Sequence, residues 1–326
     1  MSGHDQQASV CCVKVMTLPK WQMKYLLLYS VIIMLLVTFY ISWDNLHSPS
    51  KRLLGTHPKQ PLGGSKLLEL AREITKDYIR VDSKESFHHH CNNCSVVVSS
   101  GQLLDKAAGR EIDQSACVIR MNDAPTVGYS VDVGRKSTLR VVCFKSLPFL
   151  KGANLIGRGK TDMVAVWGTE NPHHKGRATY MLRQVLKAYE RDPIQFYSMK
   201  NEGETKVAEL FEDELGIDRV KTNTWVSTGV FTMLLAIQMC DSITVFGMAD
   251  ENHCKLHPDS RIPYHYYGRS MLECEMYRQH QEEFELGSHR FLSEKTLFRR
   301  WANMLDIRFR YPHWNLTQLN AANGQA

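Results

Sequence analysis

Three histidines run straight into a Cys-x-x-Cys at His88 to Cys94, the first place in the chain where reactive side chains concentrate. Imidazoles and thiolates at that spacing suit a metal ion or a redox dithiol. The same cysteines can equally be disulfide staples at the mouth of a strand. No second Cys-x-x-Cys follows downstream, which weakens zinc. Further on, Ser99-Ser100-Gly101 ends a β-rich apolar run in two hydroxyls and a glycine. Ser227-Thr228-Gly229 opens an apolar segment of helical length. Its N–H groups and hydroxyls suit an anion such as phosphate, or an ordinary N-cap. Pro263 to Gly268 sets His265 among three tyrosines, either as hydrogen-bond donors to a leaving group or as an aromatic loop anchor. His289 stands just before a helix that carries Glu294. A helix N-terminus disfavours imidazolium and leaves a neutral base, unless this is a lone surface histidine.

Absences narrow the chemistry. There is no Asp-x-Asp to hold a divalent cation on a nucleotide diphosphate, no Walker loop, no Gly-x-Ser-x-Gly elbow and no His-Glu-x-x-His. The net charge of +6 comes without an arginine-rich run, which argues against nucleic acid.

These residues need elements to hold them. The runs 95–98, 116–122, 137–144, 162–168, 194–199 and 242–248 read as strands. The segment 179–191 places Met181, Leu182, Val185, Leu186 and Tyr189 on one helical face. Residues 227–240 read as a buried helix, and 293–305 as a helix with Ser293 as its cap and Leu297, Trp301 and Leu305 inward. Strands alternating with helices predict an α/β fold, a mostly parallel sheet with helices on both faces. Ligands bind at the carboxyl ends of such strands, where Ser99 to Gly101 falls.

Tyr25 to Trp43 is a run of 19 residues without a charge. As a helix it spans about 28 Å, close to the ~30 Å hydrocarbon core. Trp21, Tyr25, Tyr40 and Trp43 sit at its ends like interface anchors, and Lys14, Lys20 and Lys24 precede it. The pattern predicts a cytosolic tail over 1–24, a signal-anchor helix over 25–43 and a type II topology. Residues 44–88, rich in Pro, Gly, Ser and Lys at their start, read as a stem with a short helix at 67–79, and 89–326 as one lumenal domain. Cys11 and Cys12 are then cytosolic and suited to palmitoylation, while seven cysteines face an oxidising lumen. An odd number leaves at least one thiol over.

In order and over nearly all of residues 89–326, the chain resembles the animal sialyltransferase family. The long motif resembles Cys91 to Val142, with "RMNDAP", "GY" and "DVG" in sequence. The small motif resembles Val226 to Met248, the third motif "HYYG" at 265–268, and the very small motif His289 with Glu294. The detail is most similar to the subfamily that adds sialic acid α2,6 to the GalNAc of Neu5Acα2,3Galβ1,3GalNAc on glycolipids or O-glycans. The alternatives are a different linkage or acceptor, such as α2,3 to galactose, and a non-catalytic glycan- or nucleotide-binding relative.

The resemblance implies a Golgi enzyme with a variant Rossmann-like, GT-A-like sheet, CMP-sialic acid as donor, and neither metal nor other cofactor. It implies a single displacement with inversion. His289 would deprotonate the acceptor hydroxyl, and His265, helped by Tyr266, would stabilise the leaving phosphate. Ser99, Ser100, Gly101 and Asn122 would contact the nucleotide, with Ser227, Thr228 and Gly229 at its cytosine and ribose end. Glu294 would support the very small motif. Cys94 would bond Cys240, fixing both sides of the nucleotide pocket, a closure worth about 4–5 kcal/mol in a chain-entropy view. Cys254–Cys274 and Cys91–Cys117 are further pairs, which leaves Cys143 over. His88 to His90 would simply end the stem. Cys143 and Phe144 stand where relatives usually carry Ser-His-Thr-Ser, in a loop implied to line the acceptor site. Asn315-Leu316-Thr317 is a glycosylation sequon.

Overall fold

The structure, a computed structural model, describes residues 32–39, 62–151, 155–157, 160–172, 174–219, 221–222, 224–282 and 289–316. The eight strands are β1 (Tyr78–Arg80), β2 (Cys91–Val97), β3 (Cys117–Met121), β4 (Leu139–Cys143), β5 (Met163–Trp167), β6 (Gln195–Met199), β7 (Cys240–Phe246) and β8 (Ile307–Arg310). The main helices are α1 (Gly64–Thr75), α2 (Lys175–Ala188), α3 (Asn201–Leu215), α4 (Thr228–Met239), α5 (Glu273–Glu282) and α6 (Phe291–Ala302). The strands form one sheet in the order β1-β6-β5-β4-β3-β2-β7-β8. Only β1 on β6 is antiparallel.

A parallel strand buried on both faces needs apolar side chains at successive positions. β5 shows how they divide. Met163, Ala165 and Trp167 face the cluster that includes α1, α4 and α6, while Val164 and Val166 face the cluster that includes α2. α4 is apolar on nearly every side, as a helix enclosed by its neighbours must be. Trp167 stacks on Phe231 with ring centroids 4.3 Å apart, joining β5 to α4. From β2 the chain steps outward through β3, β4, β5 and β6, then returns to lay β7 on the other side of β2. The order therefore reverses between β2 and β7. At such a reversal a crevice opens beyond the carboxyl ends of the two strands.

Cys91 is bonded to Cys117, Cys94 to Cys240 and Cys254 to Cys274, while Cys143 is free. The Cys94–Cys240 bridge joins the amino-terminal halves of β2 and β7, whereas the crevice lies past Val97 and Phe246. It thus ties β2 to the helix that carries Thr228 and Gly229, as the resemblance implies, at the end of α4 away from the crevice. The Cys91–Cys117 bond also removes the metal reading of "HHHCNNC". His89 lies near both sulfurs, but each is already in a covalent bond.

One expectation about the N-terminal third changes. The stem does not extend to residue 88. α1 lays Leu67, Ala71 and Ile74 into the main core, and Tyr78 and Phe87 follow them. β1 closes the edge of the sheet against β6, and the Leu62 N–H donates to Glu214 Oε1 at 3.1 Å. The folded body is therefore under way by residue 62. The span at Tyr25–Trp43 falls mostly outside the described residues; 32–39 are helical with exposed side chains. Among the described residues no helix is long and apolar enough to cross a membrane. One smaller reading also shifts. α6 begins at Phe291, so Ser293 lies inside it and Arg290 takes the cap position without capping the helix through its side chain.

If α1 belongs to the body, removing a buried branched side chain from it leaves a cavity. Ile74→Ala is expected to lower unfolding free energy in denaturant by about 3 kcal/mol. A change near zero would return this segment to the stem.

Candidate active site

Beyond β2, β3 and β7 lies a cavity of about 430 Å³. Its wall is built from strand ends and helix starts. Val98, Ser99 and Ser100 follow β2, Met121 and Asn122 close β3, and Gly247 and Met248 follow β7. Ser227, Thr228 and Gly229 enter from the start of α4, and His265 and His289 from separate loops. Residues far apart in sequence are thus brought to one place by the reversal of strand order.

Two of the expected residues do not reach it. Tyr266 points into a separate apolar cluster, where its hydroxyl donates to Pro125 O at 2.8 Å. Gly101 packs under Pro263, and a Cβ there would lie 2.5 Å from the Pro263 carbonyl oxygen. Both serve the frame. The Gly101 N–H donates to Pro263 O at 3.0 Å and the Tyr266 N–H to Ser99 O at 2.9 Å. This pair of bonds zips the turn after β2 to the loop that carries His265.

Ser100 and Ser227 line the cavity, but their hydroxyls are engaged. Ser100 Oγ donates to Glu273 Oε1 at 3.0 Å and accepts from the Gln102 N–H at 3.1 Å. Ser227 Oγ donates to Glu294 Oε2 while accepting from the Gly229 N–H at 3.1 Å, so it is the N-cap of α4. Glu294 Oε1 also accepts from the Ser227 N–H at 2.8 Å. Glu294 therefore braces the start of α4, in addition to sitting on the helix after His289. Burial pushes its carboxyl from an ordinary 4.5 up to about 7, against the lowering effect of the Ser227 bonds.

A second buried carboxyl completes the floor. Glu273 accepts from Ser100, from Gln102 Nε2 at 2.7 Å and from the Tyr277 hydroxyl at 2.8 Å. Lys295 Nζ donates to the Tyr277 oxygen at 2.9 Å, and burial lowers its ammonium to about 8. None of Glu273, Tyr277 and Lys295 is marked by a spacing in the sequence. The expected Cys254–Cys274 bridge was the available signal, because it anchors the helix that carries Glu273 and Tyr277.

Asn122 adopts a left-handed backbone, φ 45°, which asparagine tolerates better than most residues. Its Oδ1 accepts from the Cys143 N–H at 3.0 Å, which leaves its amide NH₂ for the cavity. The same bond anchors the turn after β4. Cys143 itself is partly buried, and burial is the main cause that pushes its thiol up to about 11, so it is a poor nucleophile.

The two histidines differ. His289 Nδ1 lies 2.8 Å from Trp225 O. A carbonyl oxygen only accepts, so Nδ1 carries the proton and Nε2 keeps a lone pair. Burial lowers its basicity most; the Trp225 bond opposes this, and the charges of His280 and Lys145 add to it. Burial, rather than the helix start alone, thus favours the neutral ring. The His289 N–H donates to His280 Nδ1 at 3.1 Å, and Phe291 packs on both rings. His265 lies between Tyr264 and Tyr267, whose ring centroid is 5.2 Å away and whose plane is nearly parallel to it. Burial lowers its imidazole while Asp123 opposes that.

This arrangement, a base held in one tautomer beside helix N–H groups and a second histidine, suits transfer of a group from an anionic carrier to a hydroxyl. Residues 41–297 match the model of glycosyltransferase family 29 (sialyltransferase). The chain belongs to this family of sialyltransferases. A Homo sapiens alpha-N-acetyl-neuraminyl-2,3-beta-galactosyl-1,3-N-acetyl-galactosaminide alpha-2,6-sialyltransferase is 38% identical over 239 residues, 72% of this chain and 78% of that protein. A Mus musculus alpha-N-acetylgalactosaminide alpha-2,6-sialyltransferase 3 is 37% identical over 245 residues, 74% of this chain and 79% of that one. A solved mammalian sialyltransferase aligns at 18% identity over 79% of this chain and 82% of its own, with a TM-score of 0.41. In this sialyltransferase Asn315 is exposed at the end of the described chain, and its backbone oxygen accepts from Arg299 Nη1 at 2.6 Å.

Glu294 yields a test of the brace. Glu294→Ala strands the Ser227 N–H and hydroxyl and should lower stability by about 2 kcal/mol in thermal unfolding. Glu294→Gln keeps an acceptor and a donor there and should stay close to the wild type. The native carboxyl holds its proton up to about 7 and the unfolded one only to about 4.5. Its contribution is therefore complete below the lower value and is lost as pH rises through the upper one. Glu294→Gln should remove that part of the pH dependence; an unchanged profile would place the carboxyl's titration elsewhere.

Proposed function

We propose that this sialyltransferase moves sialic acid from CMP-sialic acid to O6 of the GalNAc in Neu5Acα2,3Galβ1,3GalNAc glycans. The observation that carries the reading is the Nδ1–H bond from His289 to Trp225 O, which leaves Nε2 as the only basic atom of that ring at the cavity. His289 Nε2 takes the proton from the acceptor hydroxyl as its oxygen attacks the anomeric carbon. The bond from that carbon to the phosphate oxygen breaks on the opposite face, so the anomeric configuration inverts. CMP leaves with one more negative charge than it carried as a diester. His265 and the N–H groups that open α4 meet that charge, since a helix start favours phosphate.

The remaining residues divide by what their atoms have free. The Asn122 NH₂ and Thr228 are assigned to the nucleotide; Ser99 and Gly229 line the same wall, with the Ser99 side chain bonded to Tyr267 and the Gly229 N–H to Ser227 Oγ. Ser100, Ser227 and Glu294 hold those groups in place, and Gly101 and Tyr266 hold the loop of His265. The acceptor choice rests on the specificity named for the relative that is 38% identical and on the long-motif detail. The three disulfides and the uncharged Tyr25–Trp43 run support a type II membrane protein with its catalytic domain in the Golgi lumen.

His289→Ala should lower kcat about a thousandfold with CMP affinity unchanged, read by CMP release. The base must be neutral, and its pKa lies below the ordinary 6.5. The wild-type rate should therefore hold as pH falls through 6.5 and drop only at lower pH. Turnover that survives His289→Ala would overturn the assignment of the base.

A further inference from the structure

The cavity accounts for the donor, but the acceptor must reach His289 Nε2 from outside it. Trp225 stands there. It forms a parallel bridge with His289 and supplies the carbonyl that fixes its tautomer, yet its side chain is not part of the cavity wall. Two cations cover its ring. Lys145 Nζ lies 5.2 Å from the ring centroid and the Arg219 guanidinium carbon 5.5 Å. Lys145 thus sits over the residue whose carbonyl holds His289, and its charge is among the causes that lower the His289 imidazole.

These cations are not committed elsewhere. Among the described residues neither side chain forms an ion pair with a carboxylate. Glu204 feels the Arg219 charge, but its carboxyl is buried and accepts from the Gly168 N–H at 2.7 Å. Two positive groups on one half-buried indole, with only the buried Glu204 acting on one of them among the described residues, form a site for an external anion. An aromatic layer continues from it. His174 lies 6.0 Å from Trp225 and rests on the buried Phe144 at 5.4 Å, so the rings of Trp225 and His174 are the faces against which a sugar can lie. Phe144 and Lys145 belong to the turn after β4, which the Asn122 bond to the Cys143 N–H ties to the cavity.

We propose that Lys145 and Arg219, held over Trp225, bind the carboxylate of the sialic acid already present on the acceptor. The proposal rests on the acceptor reading above and names residues that enforce it. A glycan without that carboxylate would meet the same aromatic layer but leave both cations unanswered. The subsite would therefore select sialylated over neutral acceptors and fix the GalNAc hydroxyl at His289.

The test uses Lys145→Gln and Arg219→Gln, singly and together, in the full chain. Binding of Neu5Acα2,3Galβ1,3GalNAc and of Galβ1,3GalNAc is titrated with CMP saturating, and KM is measured for both glycans and for CMP-sialic acid. The double variant should weaken the sialylated glycan about tenfold or more. The neutral glycan and the donor should keep their values, which also shows that the fold and cavity persist. Equal losses for both glycans, a rise in the donor KM, or an unchanged preference for the sialylated glycan would each overturn the proposal. A wild type that prefers the sialylated glycan in binding, loses that preference in the variant, yet transfers to neither would sustain the subsite and defeat the functional reading. Transfer to the sialylated glycan that is untouched in the double variant would do the reverse.

Discussion

Two buried carboxyls, Glu273 and Glu294, hold together the chain segments around the cavity. A carboxyl removed from water is tolerated only when its oxygens are bonded. Glu273 meets that need with Ser100, Gln102 and Tyr277, and Glu294 with two groups of Ser227. The turn after β2, the start of α4, α5 and α6 are consequently fixed relative to one another. The same demand takes the hydroxyls of Ser100 and Ser227 out of ligand chemistry. What remains for a ligand at the cavity is a small set: the Asn122 NH₂, Thr228 and two histidines.

The sheet supplies the large-scale constraint. The strand order reverses between β2 and β7, and the cavity sits beyond their carboxyl ends. The Cys94–Cys240 bridge acts at the other end of the same strands and of α4. The scaffold is thus covalently tied at its base, while at the rim polar contacts act beside the Cys254–Cys274 bridge that anchors α5. That division suits an oxidising compartment, where the tie persists and the rim can accept substrate without breaking covalent bonds.

Much of this was legible beforehand because parallel strands advertise themselves. Val96 to Val98, Val164 to Val166 and Val245 to Phe246 are apolar on both faces, so the runs stand out from their surroundings. α4 was readable for the same reason. β8 (Ile307–Arg310) was not, because arginines alternate with its apolar residues at the sheet edge. α1 was placed in the stem because the polar, Gly-rich residues before it mask where packing begins. At the site, His265, His289, Ser99 and Asn122 were found through motifs, and the structure gathers them. Tyr266 was misplaced because four adjacent polar or aromatic residues share one loop, and only tertiary packing decides which of them turns inward. Glu273, Lys295 and Trp225 left no pattern at all, since their roles arise from partners far away in sequence.

The central claim is that His289 is positioned to activate the GalNAc 6-hydroxyl of an acceptor that is already sialylated. Linkage analysis of the product made from CMP-sialic acid and Neu5Acα2,3Galβ1,3GalNAc tests it most directly. We expect the new sialic acid on O6 of GalNAc, with inversion at its anomeric carbon. A product carrying it on galactose or on the existing sialic acid, or one with retained configuration, would contradict it.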